Sequence, residues 1–261
     1  MEELNKFLNN KSKKYITKNN LYFIKEYKKD NNKKQDKNIK AEILCKNIKH
    51  DNLMSFIYHV ETNLFDYICF KYYPFSDLIT YYENNFGEAL NNIYDNSKII
   101  LRQLVDVVLF LHNNNIAHLD IKLDNILYDK ININIILCDF EYCTKINEVG
   151  KSLDILDDVK GTKNYISPDW FNYKIKDIDF RKIDTWNIGV VAYLILTKGN
   201  TNNITLFKDI DKIIIENNLK TSNVKNDEKE LIYKLLKYNP LDRITLNKVK
   251  KLKFFENKVI E

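Results

Sequence analysis

The sequence predicts an α+β fold with two lobes and a crevice between them: a small β-rich lobe over residues 1–73 and a larger helical lobe over residues 74–261. Three observations predict this fold. Short β-type runs come first along the chain and amphipathic helix patterns follow. A length of 261 residues corresponds to one large domain or two small lobes. A content of 44% hydrophobic and 13% aromatic residues is enough for a core.

The N-terminal elements are predicted as strands around a single helix. Residues 21–24 form a short β-type run, and residues 28–38 contain no apolar side chain and are predicted as a solvated loop. Apolar residues then recur at helical spacing over residues 39–48. Residues 53–60 and 64–73 are rich in β-branched and aromatic side chains, which predicts an antiparallel pair of strands.

The C-terminal part is predicted to be mainly helical, with two short strand-like runs and a polar, irregular stretch over residues 139–169. Ser97 is the predicted N-cap of its first long helix. The helix over residues 184–197 is almost entirely apolar, which indicates that it is buried. The helix patterns cover residues 97–112, 184–197, 224–238 and 245–255, and the strand-like runs cover residues 126–128 and 133–138.

Composition excludes several classes of protein. The net charge of +5 is too small to predict a nucleic-acid partner, and the four cysteines form no C-x-x-C pair, which argues against a zinc site or a disulfide framework. The start lacks the features of a signal peptide, and the apolar run over residues 188–196 is too short to cross a bilayer. We therefore expect a soluble intracellular protein, cytoplasmic or nuclear, without a membrane partner. Heavy use of Asn, Lys and Ile is typical of an AT-rich genome, such as that of a parasite or a large DNA virus, and a viral protein would act in the host cell.

Two polar segments carry the chemistry. His-Leu-Asp-Ile-Lys-Leu-Asp-Asn, over residues 118–125, lies between the long helix and a predicted strand, and Asp139-Phe140-Glu141 follows the next strand. Phosphoryl transfer needs such a set: a carboxylate that orients a hydroxyl, a cation that offsets charge, and oxygen ligands for Mg²⁺.

These segments resemble motifs of the eukaryotic protein kinase family. Residues 118–125 are similar to the catalytic loop H-R-D-x-K-x-x-N, and residues 139–141 to the metal-binding D-F-G. Further matches follow in family order: residues 161–169 resemble G-T-x-x-Y-x-A-P-E, residues 184–189 resemble D-x-W-S-x-G, and residues 239–243 resemble D-P-x-x-R. The resemblance covers about residues 98–255 and implies ATP and Mg²⁺ or Mn²⁺ as cofactors and proteins as substrates.

The resemblance implies roles for the polar residues of these motifs. Asp120 would be the catalytic base or orienting carboxylate. Lys122 would contact the transferring phosphoryl group, with Thr162 holding it and Asp120 in place. Asn125 and Asp139 would ligate the metal. A lysine two residues after the catalytic aspartate is similar to the Ser/Thr branch of the family more than to the Tyr branch.

The same resemblance implies an adenine site in the crevice. Phe70 would be the gatekeeper at the end of a strand, and the backbone of Lys71 and Tyr73 would bind adenine. Asp77 would lie at the ribose edge, and Leu127 would form the floor of the pocket. The alternative is that residues 67–73 are an ordinary aromatic strand.

Lys25 is the implied ligand of the α- and β-phosphates, because Phe23-Ile24-Lys25 resembles the V-A-I-K strand. Glu42 is the candidate partner of Lys25 on the following helix. Family spacing, however, places Ala41 at this position, and if Glu42 held it, Lys46 would replace an apolar residue one turn on. A solvated helix carboxylate is the alternative for Glu42.

The chain departs from the family pattern at the phosphate-binding loop. Aligning residues 8–16 with the glycine-rich loop puts Asn9, Lys11 and Lys14 where glycines belong. Glycine lets backbone amides approach phosphates and permits positive φ, which lysine adopts poorly. Lysine side chains of this segment, including Lys13, would then contact the phosphates, or the loop would not cover them.

Two further departures concern charge. Glu141 replaces the glycine of D-F-G, which adds a negative charge near the metal and is expected to weaken phosphate binding or to demand more Mg²⁺. Leu119 replaces the arginine that receives an activation-loop phosphate in many kinases, so that ordering by such a phosphate is not expected. Thr144 and Ser152 are therefore predicted to be ordinary loop residues rather than switches.

Three functions are compatible with this pattern. The first is an active Ser/Thr protein kinase, since all four polar residues of the chemical centre are present. The second is a pseudokinase that acts as a binding or regulatory scaffold, as the missing glycines and Glu141 would suit. The third is a small-molecule kinase of the same fold, which should lack the peptide-binding segment over residues 161–169.

Overall fold

The computed structural model of the chain describes residues 13–16, 21–29, 33–84, 86–153, 159–198, 219 and 223–256. It has an antiparallel sheet with one helix in its N-terminal part and a mainly helical C-terminal part. This arrangement confirms the predicted two-lobed α+β fold. The division between residues 73 and 74 stays a prediction.

The sheet of the N-terminal lobe has four antiparallel strands, β1 (Lys13–Ile16), β2 (Leu21–Lys28), β3 (Phe56–Glu61) and β4 (Phe65–Lys71), in the order β1-β2-β4-β3. In the register of its two central strands, Phe23 lies opposite Phe70 and Lys25 opposite Ile68. A bulge between Phe56 and Tyr58 interrupts the outer pair.

One helix packs on this sheet and begins earlier than the sequence analysis predicted. Helix α1 spans Lys33–Ile43 and continues as a 3-10 turn, Leu44–Asn47. The prediction of a loop over residues 28–38 is therefore wrong from Lys33 onward. Lysine and glutamine form helices readily, and Lys37 and Lys40 are exposed, so this part of the helix forms without the apolar residues on which the prediction depended.

Two long helices form the core of the C-terminal lobe, α4 (Ser97–Asn113) and α6 (Phe180–Leu196), and the short helix α5 (Asp169–Asn172) lies between them in sequence. Ser97, the predicted N-cap, is instead the first residue of α4, since Asn96 holds the N-cap position. Helix α6 is buried along almost its whole length, as predicted, but it begins four residues before the predicted start because the Asp179 side chain caps it by accepting from the Arg181 amide. Gly189 is required by a close approach within this core, since a Cβ there would lie 2.7 Å from the Leu236 side chain.

Helices α2 (Leu78–Asn84) and α3 (Phe86–Asp95) were not predicted. A signal for α2 was present in the sequence: Asp77 precedes it, and the buried residues Leu78, Tyr81 and Tyr82 have helical spacing. The Asp77 carboxylate accepts from the Thr80 amide at 2.7 Å and from the Thr80 hydroxyl at 2.8 Å, which is the geometry of an N-cap.

The last predicted helices are shorter than their apolar patterns. Helix α7 spans Asn226–Leu235 and packs on α6, and α8 covers only Leu246–Val249 before a 3-10 turn at Lys253–Phe255. The prediction of one helix over residues 245–255 is wrong because the backbone is extended at Leu252, with φ −73° and ψ 147°, so Phe254 and Phe255 reach the core from a separate turn.

Short strands position the loops between the lobes. Strand β7 (Ile126–Asp129) pairs with β5 (Ser76–Asp77) and β8 (Asn134–Leu137), and β6 (Ile116–Ala117) pairs with β9 (Thr144–Lys145). The Met54 amide donates to the Leu137 carbonyl at 2.9 Å, which ties the chain before β3 to the C-terminal lobe. Among the helices of the described ranges, none has both the length and the apolar character needed to cross a bilayer.

Candidate active site

The loop after β6 is fixed by a buried carboxylate of helix α6. Asp184, fully buried, accepts from the His118 amide at 2.9 Å and from the Leu119 amide at 2.8 Å. Leu119 and Asp139 both have positive φ, 68° and 66°, a conformation that is rare for residues other than glycine. Since such strain persists only where the surrounding structure imposes it, these two backbones are held firmly in place.

Asp120, Lys122 and Thr162 form a closed triangle of polar contacts. The Lys122 ammonium lies 2.9 Å from Asp120 Oδ2 and donates to Thr162 Oγ1 at 2.7 Å, and that hydroxyl donates to Asp120 Oδ1 at 2.7 Å. Burial alone would lower the pKa of Lys122, but the carboxylates of Asp120, Asp124 and Asp139, with Asp120 contributing most, together raise it. The triangle therefore holds a charged lysine beside an aspartate that is almost fully buried.

Gly161 allows the segment that carries Thr162 to approach the loop closely. Its φ is 107°, and a Cβ at this position would lie 2.9 Å from the Leu119 carbonyl oxygen. A side chain is therefore excluded both by backbone conformation and by space.

Asn125 and Asp139 supply oxygen atoms next to this triangle. The Asn125 amide nitrogen donates to the Asp120 carbonyl at 2.8 Å and to Asp120 Oδ2 at 3.1 Å, which assigns its Oδ1 to any cation. Burial would raise the pKa of Asp139, but the neighbouring basic groups, with the Lys25 ammonium contributing most, together lower it. A carboxylate and an amide oxygen are the donors that Mg²⁺ and Mn²⁺ prefer, so these residues fit the metal that the sequence implies.

Lys25 is paired with Glu42, so the structure brings these two predicted residues together. The Lys25 ammonium contacts Glu42 Oε1 and lies 2.6 Å from Asp139 Oδ1. Burial would lower the pKa of Lys25, but the carboxylates of Glu42, Asp139 and Glu141 together raise it. Burial raises the pKa of Glu42, which has no solvent-exposed surface.

A change of helix type explains how Glu42 occupies this position. Helix α1 tightens into the 3-10 turn at Leu44, and a 3-10 helix has three residues per turn. Cys45, three residues after Glu42, therefore lies on the core face and is buried, whereas Lys46 is exposed. The register that favoured Ala41 assumed that the α-helix continued.

Glu141 and Tyr27 join the same cluster. Glu141 Oε1 lies 3.6 Å from the Lys25 ammonium and accepts from the Tyr27 hydroxyl at 3.1 Å. Tyr27 was not among the site residues predicted from the sequence. The signal was available, since residues two apart on a strand share a face and Tyr27 follows Lys25 at that spacing.

A cleft of about 400 Å³ lies beside these groups, and it is lined by both polar and apolar side chains. Phe70 is fully buried at its edge and packs against Phe56 and Phe140, with ring centroids 6.0 Å and 6.2 Å apart. The predicted residues that line the cleft are Lys25, Glu42, Phe70, Tyr73, Asn125, Leu127 and Asp139.

Lys71 and Asp77, both within the described part of the chain, do not line this cleft. The Lys71 amide donates to the Ser55 carbonyl at 2.9 Å, and the predicted contact of this backbone with adenine stays a prediction. Asp77 caps helix α2 with both carboxylate oxygens, a function that sequence analysis did not assign to it. Its predicted ribose contact stays a prediction.

Most of the loop aligned with the glycine-rich segment, including Asn9 and Lys11, lies outside the described residues. Lys13 and Lys14 belong to strand β1. How this segment meets a phosphate therefore stays a prediction.

Comparison with protein families decides what this site belongs to. The family model described as the protein kinase domain matches residues 11–255. The chain belongs to the protein kinase family.

Curated relatives of this kinase domain carry kinase names, several of them serine/threonine kinase names. A protein of Acanthamoeba polyphaga mimivirus named as a serine/threonine-protein kinase is 31% identical over 160 residues, which cover 60% of the chain and 56% of the relative. Serine/threonine-protein kinase PLK4 of Drosophila grimshawi is 30% identical over 151 residues, 58% of the chain and 19% of the relative. The phosphorylase b kinase gamma catalytic chain, liver/testis isoform, of Bos taurus is 27% identical over 219 residues, 79% of the chain and 51% of the relative. The chain thus spans less than two thirds of each of these relatives.

The activation segment of this kinase domain, which we take as residues 139–169, is held at its end by a buried ion pair. Arg243 donates to both oxygens of Asp169, at 2.9 Å and 2.8 Å, and both side chains are almost completely buried. The Arg243 guanidinium also lies 5.0 Å from the centre of the Trp186 ring. Earlier in the segment, the hydroxyls of Thr144 and Ser152 lie 2.9 Å apart.

Proposed function

We propose that the chain is an ATP-dependent protein kinase that transfers the γ-phosphate to Ser or Thr of protein substrates. The observation that carries this proposal is the closed triangle of Asp120, Lys122 and Thr162 beside the oxygen donors of Asn125 and Asp139. A chain that served only to bind a partner would need neither the triangle nor its position next to the cleft.

The nucleotide would occupy the cleft of about 400 Å³ between the lobes, which we assign to residues 1–73 and 74–261. Adenine would lie against Phe70 and Leu127, with the backbone of Lys71 and Tyr73 as its hydrogen-bond partners. The Lys25 ammonium would contact the phosphates, because it lies on the cleft wall and Glu42 orients it.

Asn125 and Asp139 would hold Mg²⁺ or Mn²⁺. When bound, the metal would neutralise phosphate charge. The remaining chemistry belongs to side chains of this chain.

In the transfer, the hydroxyl of the substrate Ser or Thr would attack the γ-phosphorus, and the bond from that phosphorus to the bridging oxygen of ADP would break. Asp120 would orient this hydroxyl and accept its proton. The Lys122 ammonium would offset the charge on the transferring group, and Thr162 would hold both side chains in place. The segment over residues 161–169 would support the substrate peptide, which favours a protein over a small molecule as acceptor.

An alternative function is a regulatory scaffold of the same fold. The observation that favours it is the Glu141 carboxylate, which lies 3.6 Å from the Lys25 ammonium in the nucleotide cleft. A scaffold would retain the fold and show no transfer.

The experiment is transfer of labelled γ-phosphate from ATP, with Mg²⁺ or Mn²⁺, to generic acidic and basic protein substrates and to the chain itself, followed by identification of the labelled amino acid. Labelled Ser or Thr is the expected result. Labelled Tyr alone would contradict the assignment to the Ser/Thr branch, and a folded protein without any transfer would leave the scaffold as the function.

A further inference from the structure

The Glu141 carboxylate occupies the part of the cleft where phosphates would have to meet Lys25. It lines the cleft together with Lys25 and Asp139, and its side chain is 34% exposed. Its Oε1 lies 3.6 Å from the Lys25 ammonium. This carboxylate thus already makes, within the chain, the kind of contact that a phosphate oxygen would make.

Tyr27 holds Glu141 in that position. Its hydroxyl donates to Glu141 Oε1 at 3.1 Å and lies 3.4 Å from Glu42 Oε1. Tyr27 is buried, and burial together with the neighbouring carboxylates raises its pKa well above the ordinary value, so the phenol stays a donor. Without this hydrogen bond, a partly exposed glutamate would be free to turn toward solvent.

The charges around Lys25 show what a nucleotide would meet. One ammonium faces the carboxylates of Glu42, Asp139 and Glu141, with 2.6 Å to Asp139 Oδ1. Ligand atoms of these three carboxylates lie within 4.8 Å of one another. A phosphate added here would be repelled by Glu141 and would compete with it for the same cation.

We infer that Glu141, positioned by Tyr27, is a built-in competitor of nucleotide phosphates for Lys25 and thereby sets the affinity of the cleft according to the charge of the phosphate chain. This inference rests on the proposed function, since it takes the cleft to be the nucleotide site. It assigns Tyr27 as a positioning residue that acts through Glu141.

The inference separates nucleosides from nucleotides. Adenosine has no phosphate, so removal of the Glu141 charge leaves its affinity unchanged. ATP carries the most phosphate charge, so its affinity rises the most, and the rise for ADP lies between those for adenosine and ATP. A divalent cation screens the repulsion, so the gain for ATP is larger without Mg²⁺ than with it.

The test is equilibrium binding of adenosine, ADP and ATP to the full chain, with and without Mg²⁺, for the wild type and the isosteric variant Glu141→Gln. Glu141→Gln is expected to bind metal-free ATP about tenfold more tightly, with adenosine affinity unchanged. Tyr27→Phe should also raise the affinity for metal-free ATP, by a smaller factor. Glu230→Gln is the matched control, since it removes one carboxylate from α7, where Glu230 pairs with Lys234. Glu230→Gln should leave the affinities for adenosine, ADP and ATP unchanged.

Several outcomes would overturn the inference. Equal changes for adenosine and ATP would mean that Glu141 acts on the shape of the cleft. Weaker binding of ATP with Mg²⁺ in Glu141→Gln would mean that the carboxylate ligates the metal. Glu141→Gly serves as the second variant if Glu141→Gln does not fold, and the same ratio of ATP to adenosine affinity is read from it.

Failure of the proposed function gives a different result. If the folded wild type and every variant bind neither adenosine nor ATP, the cleft is not a nucleotide site, and both proposals fall. If the wild type binds adenosine and transfers phosphate while Glu141→Gln leaves the ratio of affinities unchanged, only the inference about Glu141 falls.

Discussion

The His118 imidazole is held in one protonation state by its two hydrogen bonds. Its Nδ1 accepts from the Asp120 amide at 3.3 Å, and its Nε2 lies 3.2 Å from the Cys138 carbonyl oxygen, which assigns the proton to Nε2. The ring is fully buried, and burial lowers its pKa. A second proton would place an N–H at Nδ1, opposite the Asp120 N–H, and would break the contact.

We therefore predict that His118 makes the domain sensitive to acid. Because its pKa is lower in the folded than in the unfolded chain, the unfolded state binds the extra proton below its ordinary pKa of about 6.5, and stability is lost as the pH falls through that value. Below this pH, the contribution of His118 to the free energy of unfolding falls by up to about 1.4 kcal/mol for each pH unit. The measurement is chemical denaturation between about pH 5 and pH 7, the window set by that ordinary pKa. The free energy of unfolding should change less with pH in His118→Gln than in the wild type. Equal changes would contradict the prediction.

The sequence was informative about which residues stand in the site and less so about their partners. Asp120, Lys122 and Asn125 share one short segment, so a local motif was enough to propose that they act together. Tyr27 and Glu141 are 114 residues apart and meet only because β2 and the Asp139 loop face each other. Such a contact depends on the relative position of two lobes, which local patterns do not contain.

At the scale of single elements, the end of helix α1 determines which side chains face the site. The change to a 3-10 turn at Leu44 places Cys45 in the core and Lys46 in solvent. Sequence periodicity assumed one helix type and therefore left Glu42 and Ala41 as alternatives. The hydrogen-bond pattern of the last turn, which depends on packing against the sheet, decided between them.

This helix end gives a matched pair of variants. Cys45→Ala should destabilise the domain by about 1–2 kcal/mol, because it removes a buried side chain from a packed core. Lys46→Ala should change the free energy of unfolding by less than about 0.5 kcal/mol, because its side chain is exposed. The measurement is chemical denaturation of both variants beside the wild type. A larger effect for Lys46→Ala would show that the α-helical register continues through residue 46.

Over the whole molecule, one buried ion pair connects distant parts of the C-terminal lobe. Arg243 binds Asp169 through both carboxylate oxygens, and it also donates to the Lys182 carbonyl at 2.6 Å and the Lys237 carbonyl at 2.9 Å. The end of the activation segment, helix α6 and the chain after α7 therefore meet at a single guanidinium. Its planar fork suits this arrangement, which a lysine does not reproduce.

Removal of this guanidinium should lower the free energy of unfolding of the domain. Arg243→Ala leaves the Asp169 charge buried without its partner, and we predict a loss of about 3–5 kcal/mol in the free energy of unfolding. Chemical denaturation measures the loss, with Arg243→Lys as the conservative comparison. A change below about 1 kcal/mol in Arg243→Ala would mean that water replaces the guanidinium and that the pair does not hold the lobe together.

The overall architecture followed from the order of patterns along the chain, since strands precede helices and the most apolar helix, α6, lies at the centre of its lobe. Helix α2 carries a signal that the prediction missed, the Asp77 cap followed by buried residues at helical spacing. The side of the cleft that the C-terminal lobe forms was predictable from the catalytic motifs. The side that the N-terminal lobe forms was less predictable, because this lobe departs from the family pattern at several positions.

The most direct measurement compares ATP affinity and phosphate transfer in Asp120→Asn and in the wild type. Asp120 accepts from Thr162 at Oδ1 and faces Lys122 at Oδ2. Asparagine has the same size and keeps one accepting oxygen, but it cannot take up the proton. We predict unchanged ATP affinity and a loss of transfer of about a hundredfold or more. Transfer at the wild-type rate in the folded variant would contradict the assignment of this loop as the catalytic centre.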